Sequence, residues 1–257
     1  MTRGILEQLV KNSRNSISSG TYETDYNLEN SGKSLAGIIS NAPRHTILAE
    51  IKFASPSLGQ ICNSMDPARI AKQMVLGGAG ALSVLTQPHL FNGSPEYLAA
   101  VRKTVNVPIL MKDIIVDNIQ IDAAKKLGAD YILLIQSLFD CKLLGDIDGF
   151  VRYAHKNGLG VLVEAHTLQE FEDAHNTDAD IIGINNRNLD TLEIDLDTTK
   201  KILEGYHKDR PVISESGIAE PRDIAHLREC GADAFLVGSN IMKSNDIEAQ
   251  TRRLAGA

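Results

Sequence analysis

The sequence predicts an α/β protein built as a single (β/α)8 barrel over residues 46–257, with an N-terminal helical extension over residues 1–45 covering it. Three observations predict this fold. Eight short runs rich in Ile, Val and Leu recur along the chain, as buried parallel strands do. Their spacing is regular: runs starting at 81, 131, 181 and 234 lie 50, 50 and 53 residues apart, and those at 108, 160 and 211 lie 52 and 51 apart. A period of two strand–helix units repeated without drift is the signature of a barrel. Finally, 257 residues suit one barrel with a large core, and no linker marks off another domain. A doubly wound open sheet would need a Gly-rich first turn, and neither GxGxxG nor GxxxxGK(S/T) occurs.

Taken in order, the N-terminal stretch MTRGILEQLVKNSRNSI lacks the roughly seven-residue apolar core of a secretory signal. Its Ile5, Leu6, Leu9 and Val10 instead fit an amphipathic helix packed on the body. A polar stretch (Ser18 to Lys33) and a second short helix follow. The strands are then Ile47 to Lys52, Ala81 to Thr86, Pro108 to Asp113, Tyr131 to Ile135, Gly160 to Glu164, Ile181 to Asn186, Pro211 to Ser216 and Ala234 to Ser239. Between them, segments such as 118–129 and 221–232 have helical spacing, and several end in Gly-Ala-Asp, where glycine can take a left-handed cap. The longest apolar runs fall far short of the ~20 residues that span a bilayer. A soluble, cytoplasmic protein is expected.

The formal charge of -7 argues against a general binder of nucleic acid or anionic membrane, which needs surplus Lys and Arg. It leaves room for an anionic small substrate in a locally positive pocket. Cys62, Cys141 and Cys230 are scattered and form no CxxC pair, which suits a reducing compartment better than a disulfide framework or a zinc site. No metal site is expected.

In a barrel the C-terminal strand ends open onto the active site. Here five apolar strands finish on chemically capable side chains: Glu50 and Lys52 on the first, Lys112 on the third, Glu164 on the fifth, Asn185 on the sixth, Glu215 with Ser216 on the seventh. A charge inside a barrel costs several kcal/mol unless paired. Any one of these residues could merely pair at the rim. Two lysines and three carboxylates converging there point to chemistry.

The last two strands carry a second signal. Ser216-Gly217 follows the seventh and Gly238-Ser239 ends the eighth, where many barrels hold a phosphate on backbone N–H groups. Arg187, just past the sixth strand, is placed to contact the same anion; an ordinary loop arginine is the alternative. Ser55 and Ser57 offer hydroxyls from the neighbouring rim. The seven histidines show no metal-ligand spacing. His166 follows the fifth strand and is expected on the surface or supporting other groups. Glu193, Asp195 and Asp197 read as a solvated loop.

These residues sit in segments that resemble the indole-3-glycerol phosphate synthase family: LAEIKFASPSL (48–58), FNGSPEYL (91–98), PILMKDIIVDNIQI (108–121), GADYILLI (128–135), VLVEAHT (161–167), IIGINNRNLDTLEIDL (181–196), VISESGI (212–218) and GADAFLVGS (231–239). The resemblance runs nearly the length of the barrel. It implies closure of an indole ring: 1-(2-carboxyphenylamino)-1-deoxyribulose 5-phosphate loses CO2 and water to give indole-3-glycerol phosphate, with no metal or organic cofactor. It also implies roles. Lys112 would be the general acid on the substrate carbonyl oxygen, and Lys52 would bind the anthranilate carboxylate and assist proton transfer. Glu164 and Glu50 would stabilise the cationic intermediate and exchange protons in dehydration. Asn185 and Glu215 would position groups. Ser55, Arg187, Ser216, Gly217, Gly238 and Ser239 would lie on the phosphate side, Ser57 and Phe91 would be further substrate-binding residues, and Ile114 would stand where the family's phenylalanine packs against the aromatic ring. Other tryptophan-pathway enzymes are candidate partners.

Three positions depart from the family pattern: Phe53 replaces a usual basic residue, Leu58 a lysine or glycine, and Ile114 the phenylalanine of a KDF motif. The last removes an aromatic contact worth about 0.5–1.5 kcal/mol. Rival readings are a phosphoribosyl isomerase, which would want a Cys or Asp pair on strands one and five, a Schiff-base aldolase using Lys112, or a degenerate barrel kept for binding.

Overall fold

The computed structural model describes residues 3–55, 59–61, 66–189 and 191–257. Ser57, Leu58 and Cys62, singled out above, lie outside these residues. Eight parallel strands close into a barrel: β1 (Thr46–Ile51), β2 (Ala81–Leu85), β3 (Ile109–Lys112), β4 (Tyr131–Ile135), β5 (Gly160–Ala165), β6 (Ile181–Asn185), β7 (Val212–Glu215) and β8 (Ala234–Val237). Neighbours in sequence are neighbours in the barrel. β8 returns to β1 in the register Thr46↔Ala234, so no edge strand is left.

The strands match the apolar runs to within a residue or two, and the trimmed ends have causes. Pro108 and Pro211 stand just before β3 and β7 because proline has no N–H to give a ladder. Each contributes only its carbonyl, to Leu82 N–H and Ile182 N–H. The polar residues Asp113, Asn186, Ser216 and Ser239 fall just beyond the strands, on the rim. Strand residues are buried on both faces, which is why the runs read as continuous rather than alternating.

Helices cover the barrel between strands, including Asn118–Lys126 and Pro221–Glu229. Gly128 and Gly231 after them take the left-handed backbone expected of their Gly-Ala-Asp signals, with φ of 80° and 104°. Elements that the apolar pattern does not reveal also occur. A two-residue antiparallel ribbon (Ala54–Ser55 with Gly59–Gln60) follows β1, and short helices follow β4 (Gln136–Asp140) and β8 (Ser239–Met242). Among the described residues, no helix is long and apolar enough to cross a membrane.

The N-terminal segment runs along the whole height of the barrel. Its helix Arg3–Ser18 buries Leu6, Leu9 and Val10. Ser13 Oγ donates to the Ile114 carbonyl at 2.6 Å and Tyr22 Oη to Asp113 at 2.9 Å, both at the C-terminal rim. The polar stretch then descends as irregular but tethered chain: Leu28 N–H donates to the Lys126 carbonyl, and Ser31 donates to Asp130 beside the start of β4. The helix Leu35–Asn41, capped by Ser34, buries Leu35 and Ile39 before β1 begins.

Candidate active site

The C-terminal ends of the strands surround a cavity of about 490 Å³. Every described candidate lines it: Glu50, Lys52, Ser55, Phe91, Lys112, Ile114, Glu164, Asn185, Arg187, Glu215, Ser216, Gly217, Gly238 and Ser239. Residues that the sequence pattern does not mark share the wall, notably Leu9 from the N-terminal helix, Gln87, Asp113 and Lys243. Phe53 is not in the lining. It packs edge-on against Tyr97 in the core, centroids 5.2 Å apart.

Lys112 is the centre of the arrangement. Its Nζ lies 2.9 Å from Glu164 Oε2 and 2.7 Å from Glu215 Oε2, across the barrel from two other strands. Burial disfavours the ammonium, but Glu164, Glu215 and Glu50 together outweigh it and hold the group well above the ordinary lysine value. Two carboxylates sharing one cation cannot both be fully compensated, and they diverge. Burial works against the Glu164 anion, but Lys112 and His166 overcome it and hold its carboxyl well below the usual range. Burial pushes Glu215 up to about 7, with the Glu164 charge adding to the rise and Lys112 only partly offsetting it. A second ion pair, Lys52–Glu50 at 2.5 Å, stands on β1 and just past it.

Two glycines make room for these carboxylates. A Cβ on Gly183 would lie 2.3 Å from Glu215 Oε1, and one on Gly238 would lie 2.4 Å from Glu50 Oε1. Gly238 therefore serves a carboxylate as well as the turn after β8.

The turns after β7 and β8 complete the cavity wall. Ser216 and Gly217 are consecutive left-handed residues, φ 68° and 83°. Any larger residue at 217 would also drive its Cβ to 2.5 Å from Ile194 Cγ2. Asn186, unmarked in the sequence reading, braces this turn from below: its Nδ2 donates to Ser214 Oγ and to the Ser216 carbonyl, while its Oδ1 accepts from Thr199. Asn185 Oδ1 accepts the Arg187 N–H at 3.0 Å, and the Arg187 guanidinium donates to the Leu192 carbonyl at 2.9 Å. Ser55 Oγ is buried without a hydrogen-bond partner among the described residues.

A buried network with no sequence signature lies behind Lys112. Asp113, next in sequence, accepts from Tyr22 Oη, Thr86 Oγ1, Gln87 Nε2 and the Ile114 N–H. Burial pushes its carboxyl up to about 6, and these donors limit the rise. His166, expected on the surface or in support, is buried beside Glu164, with Nε2 3.3 Å from Glu164 Oε1. Among the described residues no cluster of His, Cys, Asp and Glu is suited to a metal ion. The lining instead combines lysines, carboxylates and N–H-rich turns. Such a set can move protons at one end of a substrate while gripping an anion at the other.

Comparisons agree with this geometry. A family model described as indole-3-glycerol phosphate synthase matches residues 5–254. The chain is 37% identical to the indole-3-glycerol phosphate synthase of Sulfurimonas denitrificans, covering 97% of this chain and 98% of that one. It is 45% identical to that of an Azoarcus species, covering 84% and 81%, and 43% identical to that of Haloarcula marismortui, covering 85% and 80%. Among solved structures, a 3-hexulose-6-phosphate synthase aligns with TM-score 0.61 at 17% identity, covering 82% of this chain and 98% of that one. A thiamine phosphate pyrophosphorylase from Pyrococcus furiosus aligns with TM-score 0.60 at 17% identity, covering 82% and 94%. These last two likenesses concern the fold alone.

Proposed function

The chain belongs to the indole-3-glycerol phosphate synthase family, and from that premise we propose a division of labour among the residues around its cavity. The activity is the family's: a carboxy-lyase step of tryptophan biosynthesis that closes the indole ring of 1-(2-carboxyphenylamino)-1-deoxyribulose 5-phosphate with loss of CO2 and water. In our reading residues 46–257 are the catalytic barrel, and residues 1–45 cover its mouth and strap its side.

Lys112 acts as the general acid. As the aromatic carbon attacks, it delivers a proton to the substrate's carbonyl oxygen. What supports this most directly is its half-buried ammonium, held against two carboxylates at the cavity wall. In the resting site those carboxylates hold the proton tightly, so the proton is released once substrate draws the ammonium away from them. Protonation of Glu215 would favour the same release by removing one of the two anions. Glu164 and Glu50 stabilise the positive charge that develops on the ring nitrogen side and take up a proton during dehydration. Lys52 pairs with the anthranilate carboxylate until it leaves as CO2. Asn185, with its Oδ1 spent on the Arg187 N–H, keeps its NH2 to position substrate. The Ser216-Gly217 and Gly238-Ser239 turns, Arg187 and the Ser55 hydroxyl, all on the cavity wall, take the phosphate. We extend the reading to a cytoplasmic enzyme with other tryptophan-pathway enzymes as candidate partners.

Fluorescence of the indole product tests this division. Inorganic phosphate is expected to compete with substrate, and Arg187→Ala to raise KM more than it lowers kcat, because the phosphate is held alike in ground and transition states. Equal KM in variant and wild type, or phosphate inhibition unaffected by the change, would remove Arg187 from the phosphate site.

Ile114→Phe probes the ring pocket. Ile114 lines the cavity, as Leu9 and Phe91 do, so restoring the family's aromatic should lower KM several-fold, about 1 kcal/mol, with an unchanged thermal melt. A lower Tm at unchanged KM would mean that the ring overpacks its neighbours. If neither quantity moves, residue 114 does not meet the substrate.

A further inference from the structure

The mechanism above leaves unused a buried histidine that touches one of its carboxylates. His166 follows β5 directly, and its side chain is only 5% exposed. Its Nδ1 lies 3.1 Å from Glu170 Oε2, which also accepts the His166 backbone N–H at 2.8 Å. Its Nε2 lies 3.3 Å from Glu164 Oε1, an ion pair rather than an aligned hydrogen bond. The other oxygen of Glu164 is the one on Lys112. Four side chains thus form a line, Lys112, Glu164, His166 and Glu170, from the cavity to the helix Leu168–His175.

The two flanking carboxylates favour a charged imidazole. Nδ1 must carry a proton to face Glu170. A neutral ring would then leave an unprotonated Nε2 3.3 Å from a carboxylate oxygen, so the arrangement favours the doubly protonated ring. Burial opposes that charge, yet the two carboxylates overcome it and raise the imidazolium to about 9. The surrounding groups are consistent with this. Asp140, on the helix Gln136–Asp140, interacts with Glu170 and adds negative potential, while Lys112 and Glu215 lie beyond Glu164.

Among the described residues Glu215 has no such partner. Its Oε2 meets Lys112, and its Oε1 is buried with no hydrogen-bond partner among them. Among the described residues, two carboxylates therefore share one lysine, and only one of them has a second cation. We propose that His166 is a positioning residue that assigns the pair its roles, keeping Glu164 ionised as the base and leaving Glu215 as the carboxylate that takes up a proton. The rule is general: where environments push two titratable groups apart, acid and base are distinguished. The proposal rests on the reading of Glu164 as the base of the reaction.

The test is the pH dependence of kcat in the full-length protein carrying His166→Asn, which keeps a polar side chain without the charge. The acid limb should move up by about one pH unit or more, so that the loss relative to wild type is on the order of tenfold below the limb and much smaller above it. A purely structural role would lower kcat equally at every pH, and that result would overturn the proposal. Glu170→Gln guards against a misfolded variant: it leaves the ring in place with one carboxylate fewer, and should move the limb in the same direction by less. Nitrogen-15 histidine NMR of the wild type supplies a readout independent of turnover. The His166 ring should remain doubly protonated from pH 6 to 8, and a neutral ring at pH 7 would also overturn the proposal. Glu164→Gln with near wild-type kcat would instead sink the base assignment without bearing on the NMR result for the wild-type His166 ring, so the two failures are distinguishable.

Discussion

Replacing Lys112 by alanine is expected to lower kcat by on the order of 10²-fold or more while leaving KM within a few-fold of wild type. The proton that Lys112 supplies is needed as the carbonyl oxygen gains charge in the transition state, and far less in the ground state. Removal also leaves Glu164 and Glu215 facing each other without their shared cation. At least one of them must then take up a proton near neutral pH, and the variant's pH profile should change shape as well as height. Lys112→Arg sharpens the test, since guanidinium keeps the charge but does not give up its proton. It should fold as the wild type does and remain nearly as inactive as the alanine variant. Steady-state kinetics beside thermal melts reads both. Either variant with near wild-type kcat would remove Lys112 from the role of acid.

The second large effect concerns stability. Asp113 is 2% exposed and accepts hydrogen bonds from Tyr22, Thr86, Gln87 and the Ile114 N–H. Asp113→Ala leaves at least three of these donors buried and unanswered, at a cost on the order of 3 kcal/mol. For a chain of this size that corresponds to a fall in Tm of about 6–12 °C. Tyr22→Phe removes a single donor and should cost about 1 kcal/mol. A pH dependence accompanies the network. The folded carboxyl titrates at about 6 against a reference of 3.8. Between those values the native state holds a proton that the unfolded chain has lost. This group's contribution to stability therefore declines as pH rises from about 4 to about 6, and is largest below that window. The alanine variant should lose that part of the slope. A melt unchanged in both height and slope would show that the extension is not fastened through Asp113.

Much of the molecule follows from the sequence alone. The eight strands are legible because parallel barrel strands are buried on both faces, and burial writes continuous apolar runs at a fixed period. Lys112, Glu164, Asn185 and Glu215 are legible because a polar residue that ends such a run stands out against it, and the Ser-Gly and Gly-Ser pairs because they recur after the last two strands. Tertiary structure alone decided who meets whom. Lys112 finds Glu164 and Glu215 at separations of 52 and 103 residues, and Tyr22 finds Asp113 at a separation of 91. No local pattern encodes such pairings. A histidine after a strand looks the same whether it is solvated or, like His166, wedged between two carboxylates. Gly183 reads as an ordinary strand residue until the Glu215 carboxylate is seen to occupy the space a side chain would need. Periodicity is a property of one segment against the core and survives in one dimension. The electrostatics of this site arise where side chains from separate strands and the N-terminal segment converge, so they exist only once the barrel has closed.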